Sequence, residues 1–127
     1  MSATPLVKRL QIKPGNKVLL LDAPADYKRT LGTLPANAAL STHARGSFDV
    51  VQLFAKDRAH FARRIGVAMK SLRDGGILWV SWPKQNANVT TDLNRDSLWR
   101  EAEPHGLRPV SNIAIDETWS ALRFKRV

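Results

Sequence analysis

Three short and nearly uninterrupted apolar runs constrain the fold of this chain more than any other feature. They cover residues 18–21, 49–54 and 77–82 and are rich in leucine, β-branched and aromatic residues. A continuous apolar run, unlike one that alternates with polar residues, is typical of a parallel strand covered on both faces. The three runs therefore predict the centre of a parallel sheet with helices on either side.

A helix is predicted between the second and third of these strands, over residues 57–73. Asp57 is suited to the N-cap, and Gly75 and Gly76 are suited to a left-handed stop. The order of strand, helix and strand predicts a right-handed parallel crossover. The apolar side of the helix repeats at helical spacing through Phe61, Ile65, Ala68, Met69 and Leu72.

The flanking segments complete the set of predicted elements. A helix over residues 93–103 is expected to start at Thr91 or Asp92, to bury Leu98, Trp99 and Ala102, and to end before Pro104 and Gly106. The other elements are a short helix near residues 6–10, a turn at 13–16, a short helix at 25–31, an edge strand at 38–43 and a polar loop at 84–91.

The chain closes with two strands, at residues 107–115 and 119–127, joined by the tight connection 116–118. So short a connection predicts an antiparallel hairpin. The fold class is therefore α/β: a Rossmann-like, mostly parallel, doubly wound sheet that ends in an antiparallel C-terminal hairpin. Residues 1–127 are expected to form a single domain, in the arrangement of class I methyltransferases with some elements deleted.

The residue counts exclude several kinds of site. The chain has no cysteine and three scattered histidines, His43, His60 and His105, so we expect no metal site and interpret the histidines as surface or capping residues. The N-terminus lacks the apolar core of a signal peptide, and no run approaches the roughly 18 apolar residues of a membrane span. We expect a cytoplasmic protein with no membrane partner.

The positive charge is concentrated in the first part of the chain. Residues 1–73 hold 13 Lys or Arg against 4 Asp or Glu, whereas residues 74–127 hold 7 of each, which accounts for the net charge of +9. Such a field favours anionic partners, although a solvated basic face is the simpler interpretation. Weak, sequence-independent binding of nucleic acid is an alternative, through a basic face on the predicted helix: Arg58, Arg63, Arg64, Lys70 and Arg73.

Four segments carry a resemblance to known proteins. They are LQIKPGNKVLLLD (10–22), FDVVQLF (48–54), DGGILWVSWPK (74–84) and IDETWSALR (115–123). On these segments the chain resembles a small methyltransferase-type Rossmann domain, and more closely the uncharacterised bacterial family named domain of unknown function 3052. The resemblance implies a bacterial cytoplasmic protein and brings no activity, substrate or catalytic residue with it.

The loop after the first strand reads Asp22-Ala23-Pro24-Ala25-Asp26, where a methyltransferase or dinucleotide-binding protein has glycines. Proline lacks an N–H donor, and alanine side chains obstruct a close approach of ligand to backbone. This composition disfavours S-adenosylmethionine and NAD, so no cofactor is expected. No P-loop and no Gly-x-Ser-x-Gly motif occurs either.

The candidate site lies at the carboxyl ends of the predicted strands, where open α/β sheets bind their ligands. The hairpin tip returns to that edge, which brings together Asp22, Lys56, Trp82, Lys84, Asp116, Glu117 and Trp119. One interpretation is a shallow site for an anion, with Lys84 as the charge donor and Trp82 and Trp119 as apolar walls. The structural alternative is an ion pair from Lys84 to Asp116 or Glu117, with the tryptophans in the core.

Two functions of different class follow from this cluster. The first is a non-enzymatic, methyltransferase-like binding domain that recognises an anionic ligand or protein partner of unknown identity. The alternative is an enzyme, a small transferase that uses Asp22, Lys84, Asp116 and Glu117.

Overall fold

A computed structural model describes residues 4–84 and 90–127, which form an α/β sheet structure. The strands are β1 (Lys17–Leu21), β2 (Ala39–Ser41), β3 (Phe48–Phe54), β4 (Leu72–Pro83), β5 (Leu107–Ala114) and β6 (Trp119–Arg126). The helices are α1 (Leu6–Arg9), α2 (Tyr27–Leu31), α3 (Arg58–Ser71) and α4 (Arg95–Ala102), and a 3-10 turn follows at Glu103–His105. The predicted α/β class is confirmed.

The strands pair in the order β2-β1-β3-β4-β6-β5 within the described part of the chain. β1 is parallel with β2 and β3, and β3 is parallel with β4. β6 lies between β4 and β5 and is antiparallel with both. This topology confirms a mostly parallel sheet that ends in an antiparallel hairpin.

Two apolar cores cover the two faces of the sheet, because successive side chains of a strand point to opposite faces. Leu19 and Leu21 of β1 pack in the core under α3 and α4, whereas Val18 and Leu20 pack in the core under α1 and α2. Trp79 of β4 is fully buried in the second core, and its Nε1–H donates to the carbonyl oxygen of Leu10 at 3.0 Å. The sheet is thus doubly wound, as predicted.

The end of α3 differs from the prediction. The helix stops at Ser71, Leu72 is extended, and β4 begins there, so Gly75 and Gly76 lie inside the strand and are not a helix stop. The pairing of β3 with β4 is irregular at this point, and Gly75 has a φ of 75°. A Cβ on Gly76 would lie 2.6 Å from Leu72 Cδ1 and 2.9 Å from the Arg73 carbonyl oxygen, so close packing requires this glycine.

The start and the buried side of α4 also differ. Asn94 caps the helix: its side chain accepts from the N–H of Ser97, and the Ser97 hydroxyl accepts from the N–H of Asn94. Asp92, one of the two predicted caps, instead accepts from the N–H of Arg58 at the start of α3 at 2.8 Å. Trp99 is 47% exposed, because Leu98 and Ala102 already fill the side of this short helix that faces the core.

The remaining predicted elements are present with shorter bounds. The edge strand is the three-residue β2, and the helix near residues 25–31 is the five-residue α2. Most of the predicted polar loop, residues 85–89, lies outside the described residues. No helix in the described ranges has the length and apolar character that crossing a membrane requires.

Candidate functional site

The predicted site residues all lie at the carboxyl edge of the sheet. Asp22 directly follows β1, Lys56 follows β3, and Lys84 follows β4. The tip of the β5–β6 hairpin reaches the same edge, because Pro83 pairs with Trp119 and the N–H of Lys84 donates to the carbonyl oxygen of Thr118 at 2.7 Å. The predicted placement of these residues at the carboxyl edge therefore agrees with the topology.

Lys84 contacts the hairpin tip through its backbone. Among the described residues, no ion pair joins Lys84 to Asp116 or Glu117, so the predicted ion pair is wrong. Asp116 Oδ1 instead accepts from the N–H groups of Thr118 and Trp119, at 2.8 Å each, and this closes the hairpin turn. Because two backbone amides already donate hydrogen bonds to the Asp116 carboxylate, it is satisfied without an ion pair to Lys84.

The two tryptophans of the predicted site are structural. Trp82 is 5% exposed and belongs to the core under α3 and α4, so it is not a wall of a surface site. Trp119 is half-buried and packs edge-on against Phe54, with 5.1 Å between ring centroids. The structural alternative for the tryptophans agrees with this packing.

Contacts between charged and polar side chains at this edge instead join Asp22 to α3. Asp22 Oδ2 accepts from Arg64 Nε–H at 2.9 Å and lies 2.9 Å from His60 Nε2. His60 and Arg64 are four residues apart on α3, so they share one side of the helix and face the end of β1 together. Asp22, His60 and Arg64 therefore form one cluster. It joins the end of β1 to α3, which are adjacent in space but about 40 residues apart in sequence.

A backbone N–H group selects the tautomer of the His60 ring. The N–H of Lys56 donates to His60 Nδ1 at 3.2 Å, so Nδ1 carries no proton. The ring proton is then on Nε2, which donates to Asp22. The N-cap Asp57 accepts from the His60 N–H at 2.8 Å and holds the first turn of α3 in place.

The environment of Asp22 favours its charged form. Partial burial on its own raises the pKa of the carboxyl group, but the hydrogen bonds from His60 and Arg64, with the positive charge of Arg64, outweigh burial. The net effect holds the pKa of Asp22 below its ordinary value. Asp22 is thus a carboxylate whose charge α3 compensates.

His60 is the functional candidate that sequence reasoning missed, since it was interpreted as a surface or capping residue. It is 13% exposed and belongs to the Asp22 cluster. The available signal was the four-residue spacing of His60 and Arg64 on the strongest predicted helix. That signal became specific only once β1 and β3 were known to be neighbours, because α3 starts directly after β3.

A cavity of about 380 Å³ opens beside this cluster, at the carboxyl end of β1. Two cationic side chains, Lys28 and Arg64, belong to its lining together with the single carboxylate of Asp22. The rest of the lining is Leu20, Ala23, Pro24, Ala25, Tyr27 and Thr42. The loop that lacks glycines therefore contributes its alanine and proline residues directly to the wall.

A buried chain of hydrogen bonds begins at Tyr27, which belongs to the lining of the cavity. Tyr27 Oη donates to Gln52 Oε1 at 2.8 Å, and Gln52 Nε2 donates to Ser81 Oγ at 3.0 Å. Burial raises the pKa of Tyr27 far above its ordinary value, so this hydroxyl remains a donor at every physiological pH. Tyr27 also packs edge-on against Phe54, at 4.6 Å between ring centroids, and these contacts fix α2 beside the cavity.

The predicted basic face of α3 is largely neutralised. Arg58 pairs with Glu101 at 2.9 Å, Arg64 with Asp22 at 2.9 Å, and Arg73 with Asp49. Arg63 and Lys70 are exposed and form no ion pair with any described residue. Two unpaired cations on a helix make a weak surface for a polyanion.

No protein-family model and no curated protein matches this chain. The assignment to domain of unknown function 3052 therefore stays a prediction from the four segments.

Solved structures do match the fold over nearly the whole chain. The complex of DhpI with SAH matches with a TM-score of 0.64 and 12% identity, over 96% of this chain and 82% of that one. The ribosomal protein L11 methylase of Lactobacillus delbrueckii subsp. bulgaricus matches with a TM-score of 0.58 and 12% identity, over 95% and 74%. The magnesium protoporphyrin IX methyltransferase of Synechocystis PCC 6803 with bound SAH matches with a TM-score of 0.57 and 10% identity, over 96% and 78%. These likenesses show that the chain has the Rossmann-like fold of class I methyltransferases.

Proposed function

We propose that this chain is a methyltransferase-like binding domain that takes a small anionic ligand at the carboxyl end of β1. The observation that carries the proposal is the cavity of about 380 Å³, which lies within the size range of small-molecule sites. Arg64 and Lys28 line it, and the single carboxylate of the lining, Asp22, compensates the charge of only one of them, Arg64. The cavity is therefore left with an excess of positive charge.

Backbone donors beside the cavity support an anionic ligand. Ala23 and Ala25 line the cavity, and their N–H groups donate to no acceptor in the described part of the protein. Unpaired amides close to a cationic side chain are suited to a phosphate or carboxylate group. Lys28 is exposed and forms no ion pair with any described residue, so its ammonium group is available to the same ligand.

S-adenosylmethionine is the second candidate ligand, because the solved structures with the same fold include complexes with SAH. Two features of the loop at residues 22–26 disfavour the binding of S-adenosylmethionine. Pro24 has no N–H to donate, and the side chains of Ala23 and Ala25 occupy the wall where glycines allow a ligand to approach the backbone closely. By this argument, the loop at residues 22–26 cannot bind S-adenosylmethionine as a glycine-rich loop does. The ligand contacts come from Arg64 and Lys28 instead.

The alternative function, a small transferase, required Asp22, Lys84, Asp116 and Glu117 to act as one cluster. Asp22 is bonded to α3, whereas Asp116 is bonded within the hairpin turn. No hydrogen bond or ion pair among the described residues joins Asp22, Lys84, Asp116 and Glu117. We therefore prefer ligand recognition to catalysis by that cluster.

A thermal-shift and calorimetry panel tests the proposal, with inorganic phosphate, a sugar phosphate, AMP, S-adenosylmethionine and SAH as probes. A ligand that binds only the folded state raises the melting temperature by mass action. We expect a phosphorylated probe to do so, and Lys28→Gln to weaken its binding. Arg29→Gln is the matched control, since Arg29 is also an exposed cation of α2 but does not line the cavity. Saturable binding of S-adenosylmethionine that Lys28→Gln leaves unchanged would contradict the proposal.

A further inference from the structure

The amino edge of the sheet, opposite the cavity, carries a row of cations. We call it the amino-edge row. Its members are exposed and come from β1, from the loop before β3, and from β4, β5 and β6: Lys17, Arg45, Arg73, Arg108, Lys125 and Arg126. Residues from both halves of the sequence therefore combine on one edge.

Contacts between neighbouring strands make the row continuous. The N–H of Lys17 donates to one oxygen of Asp49 at 2.7 Å, and Arg73 donates to the other oxygen of the same carboxylate. Arg126 lies 3.7 Å from Asp74 and also donates to the carbonyl oxygen of Met69, near the end of α3. The row crosses β1, β3, β4, β6 and β5, so it spans four strand spacings, or about 19 Å.

The row has more positive charge than its own carboxylates compensate. Asp49 and Asp74 are the described acids that pair with its members. Arg45, Arg108 and Lys125 form no ion pair with any described residue. The positive field along this edge is therefore open to an outside anion.

A groove of about 300 Å³ lies in the middle of the row, between the start of β4 and the end of β6. Its lining combines four cationic side chains with two glycines and one leucine: Arg73, Arg123, Lys125, Arg126, Gly75, Gly76 and Leu72. The Nε of Arg123 is buried and has no hydrogen-bond acceptor in the described part of the chain. Gly75 has no side chain, and no heavy atom lies within 4 Å of the position that a Cβ would take, so an anion can approach close to the backbone there.

We propose that the amino-edge row binds the phosphodiester backbone of nucleic acid. A row of about 19 Å is longer than a single phosphate group but matches several successive phosphates of a strand, which rise by about 3.4 Å each in a duplex. A protein partner needs buried aromatic or apolar anchors for most of its binding energy, and the row offers cations alone. The Phe48 ring lies next to the row, with 5.3 Å between its centroid and Lys17 Nζ. Because this ring is buried, it cannot stack on a base, and binding would rest on phosphate contacts.

Binding through phosphates alone has a defined signature. It is independent of base sequence, and the association constant falls steeply with salt concentration, with a slope of about −0.9 for each phosphate contacted. The row shares Arg73 but no other residue with the basic face predicted on α3, where three of five cations are paired with carboxylates. It also lies at the other end of the sheet from the proposed ligand cavity, so the two sites can be tested separately.

Fluorescence anisotropy with a labelled DNA or RNA duplex of about 20 base pairs, at salt concentrations from about 50 to 200 mM, tests the proposal. The test variant is Arg108→Gln with Lys125→Gln, and the matched control is Arg29→Gln with Arg63→Gln, which removes the same charge from exposed positions on α2 and α3. We expect the test variant to lose about tenfold or more in affinity near 0.1 M salt and to have a shallower salt slope by up to about 1.8. The control variant should lose much less.

Three results would overturn the proposal. The first is no binding of either duplex by the unaltered chain at low salt. The second is an equal loss in both double variants, which would show that net charge alone acts. The third is a tighter complex with poly-glutamate of matched charge than with the duplexes, which would indicate an acidic protein as partner. Unchanged melting temperatures of both variants serve as the check on folding.

Discussion

At the scale of single residues, Asp22 shows how side-chain contacts hold an unfavourable backbone. Its φ is 61°, in the left-handed region that costs a non-glycine residue about 1–2 kcal/mol. The hydrogen bonds from His60 and Arg64 offset that cost and turn the chain away from β1 into the cavity wall. Aspartate is among the residues that tolerate this conformation best. Both the charge and the backbone of Asp22 therefore contribute to the shape of the site.

Substitutions of Asp22 separate these two contributions. Asp22→Ala loses the hydrogen bonds and keeps the backbone cost, whereas Asp22→Gly loses the bonds but relieves the backbone. We expect Asp22→Ala to be less stable than Asp22→Gly by about 1 kcal/mol, as measured by urea unfolding. Equal stabilities would contradict a left-handed Asp22.

The pH dependence of unfolding tests the environment of two carboxylates. The hydrogen bond from the Lys17 N–H, aided by Arg73 and opposed by burial, holds the pKa of Asp49 below its ordinary value of 3.8, as happens at Asp22. The unfolded chain therefore takes up protons first as the pH falls. The stability that these groups provide is present above about pH 5 and is lost as the pH falls through their folded-state pKa values, below 3.8.

We expect Asp49→Asn to reduce the loss of unfolding free energy between neutral and acidic pH, because one group that takes up a proton on unfolding is gone. Asp74→Asn is the control, since the Asp74 side chain is fully exposed. Urea unfolding at a series of pH values measures both variants. If the unfolding free energy of Asp49→Asn fell with decreasing pH as steeply as that of the unaltered chain, this result would contradict the assigned environment of Asp49.

At the scale of elements, the strands were predictable and several helix ends were not. The runs that became β1, β3 and β4 are apolar because both faces of these strands are covered, and the pattern contains that information directly. The start of α4 was ambiguous because Thr91, Asp92 and Asn94 are all suitable caps, and only the contact of Asp92 with α3 decides among them. Gly75 and Gly76 were ambiguous for a similar reason, since a helix stop and an irregular strand both favour glycine.

A pair of glycine substitutions tests the assignment at the start of β4. Gly76→Ala places a Cβ 2.6 Å from Leu72 Cδ1 and 2.9 Å from a backbone carbonyl oxygen, so we expect a loss of about 1–3 kcal/mol in unfolding free energy. Gly66→Ala, inside α3 with no heavy atom within 4 Å of the new Cβ, should gain about 0.5–1 kcal/mol. Urea unfolding of both variants makes the comparison, and a neutral Gly76→Ala would show that the strand does not pack as described.

At the scale of the whole molecule, the order of the strands determines which distant residues come together, and the sequence alone does not reveal that order. The rule for open α/β sheets predicts a ligand site at the carboxyl edge, and the order of elements places Asp22 at that edge. Its partners His60 and Arg64 needed the knowledge that β1 and β3 are adjacent. Likewise, the count of charges placed the excess in residues 1–73, but folding combines Arg73 with Lys125 and Arg126 on the amino edge.

The central claim, an anion-binding cavity at the end of β1 that does not accept S-adenosylmethionine, is tested most directly by ¹⁵N–¹H NMR titration with two matched probes. AMP and S-adenosylmethionine share the adenosine group and differ in the charged group that follows it. We predict that AMP shifts the backbone amide signals of Ala23, Ala25 and Lys28 and the Nε–H signal of Arg64 in a saturable way, and that S-adenosylmethionine leaves all four in place. Saturable shifts of these four signals with S-adenosylmethionine, and none with AMP, would contradict the account.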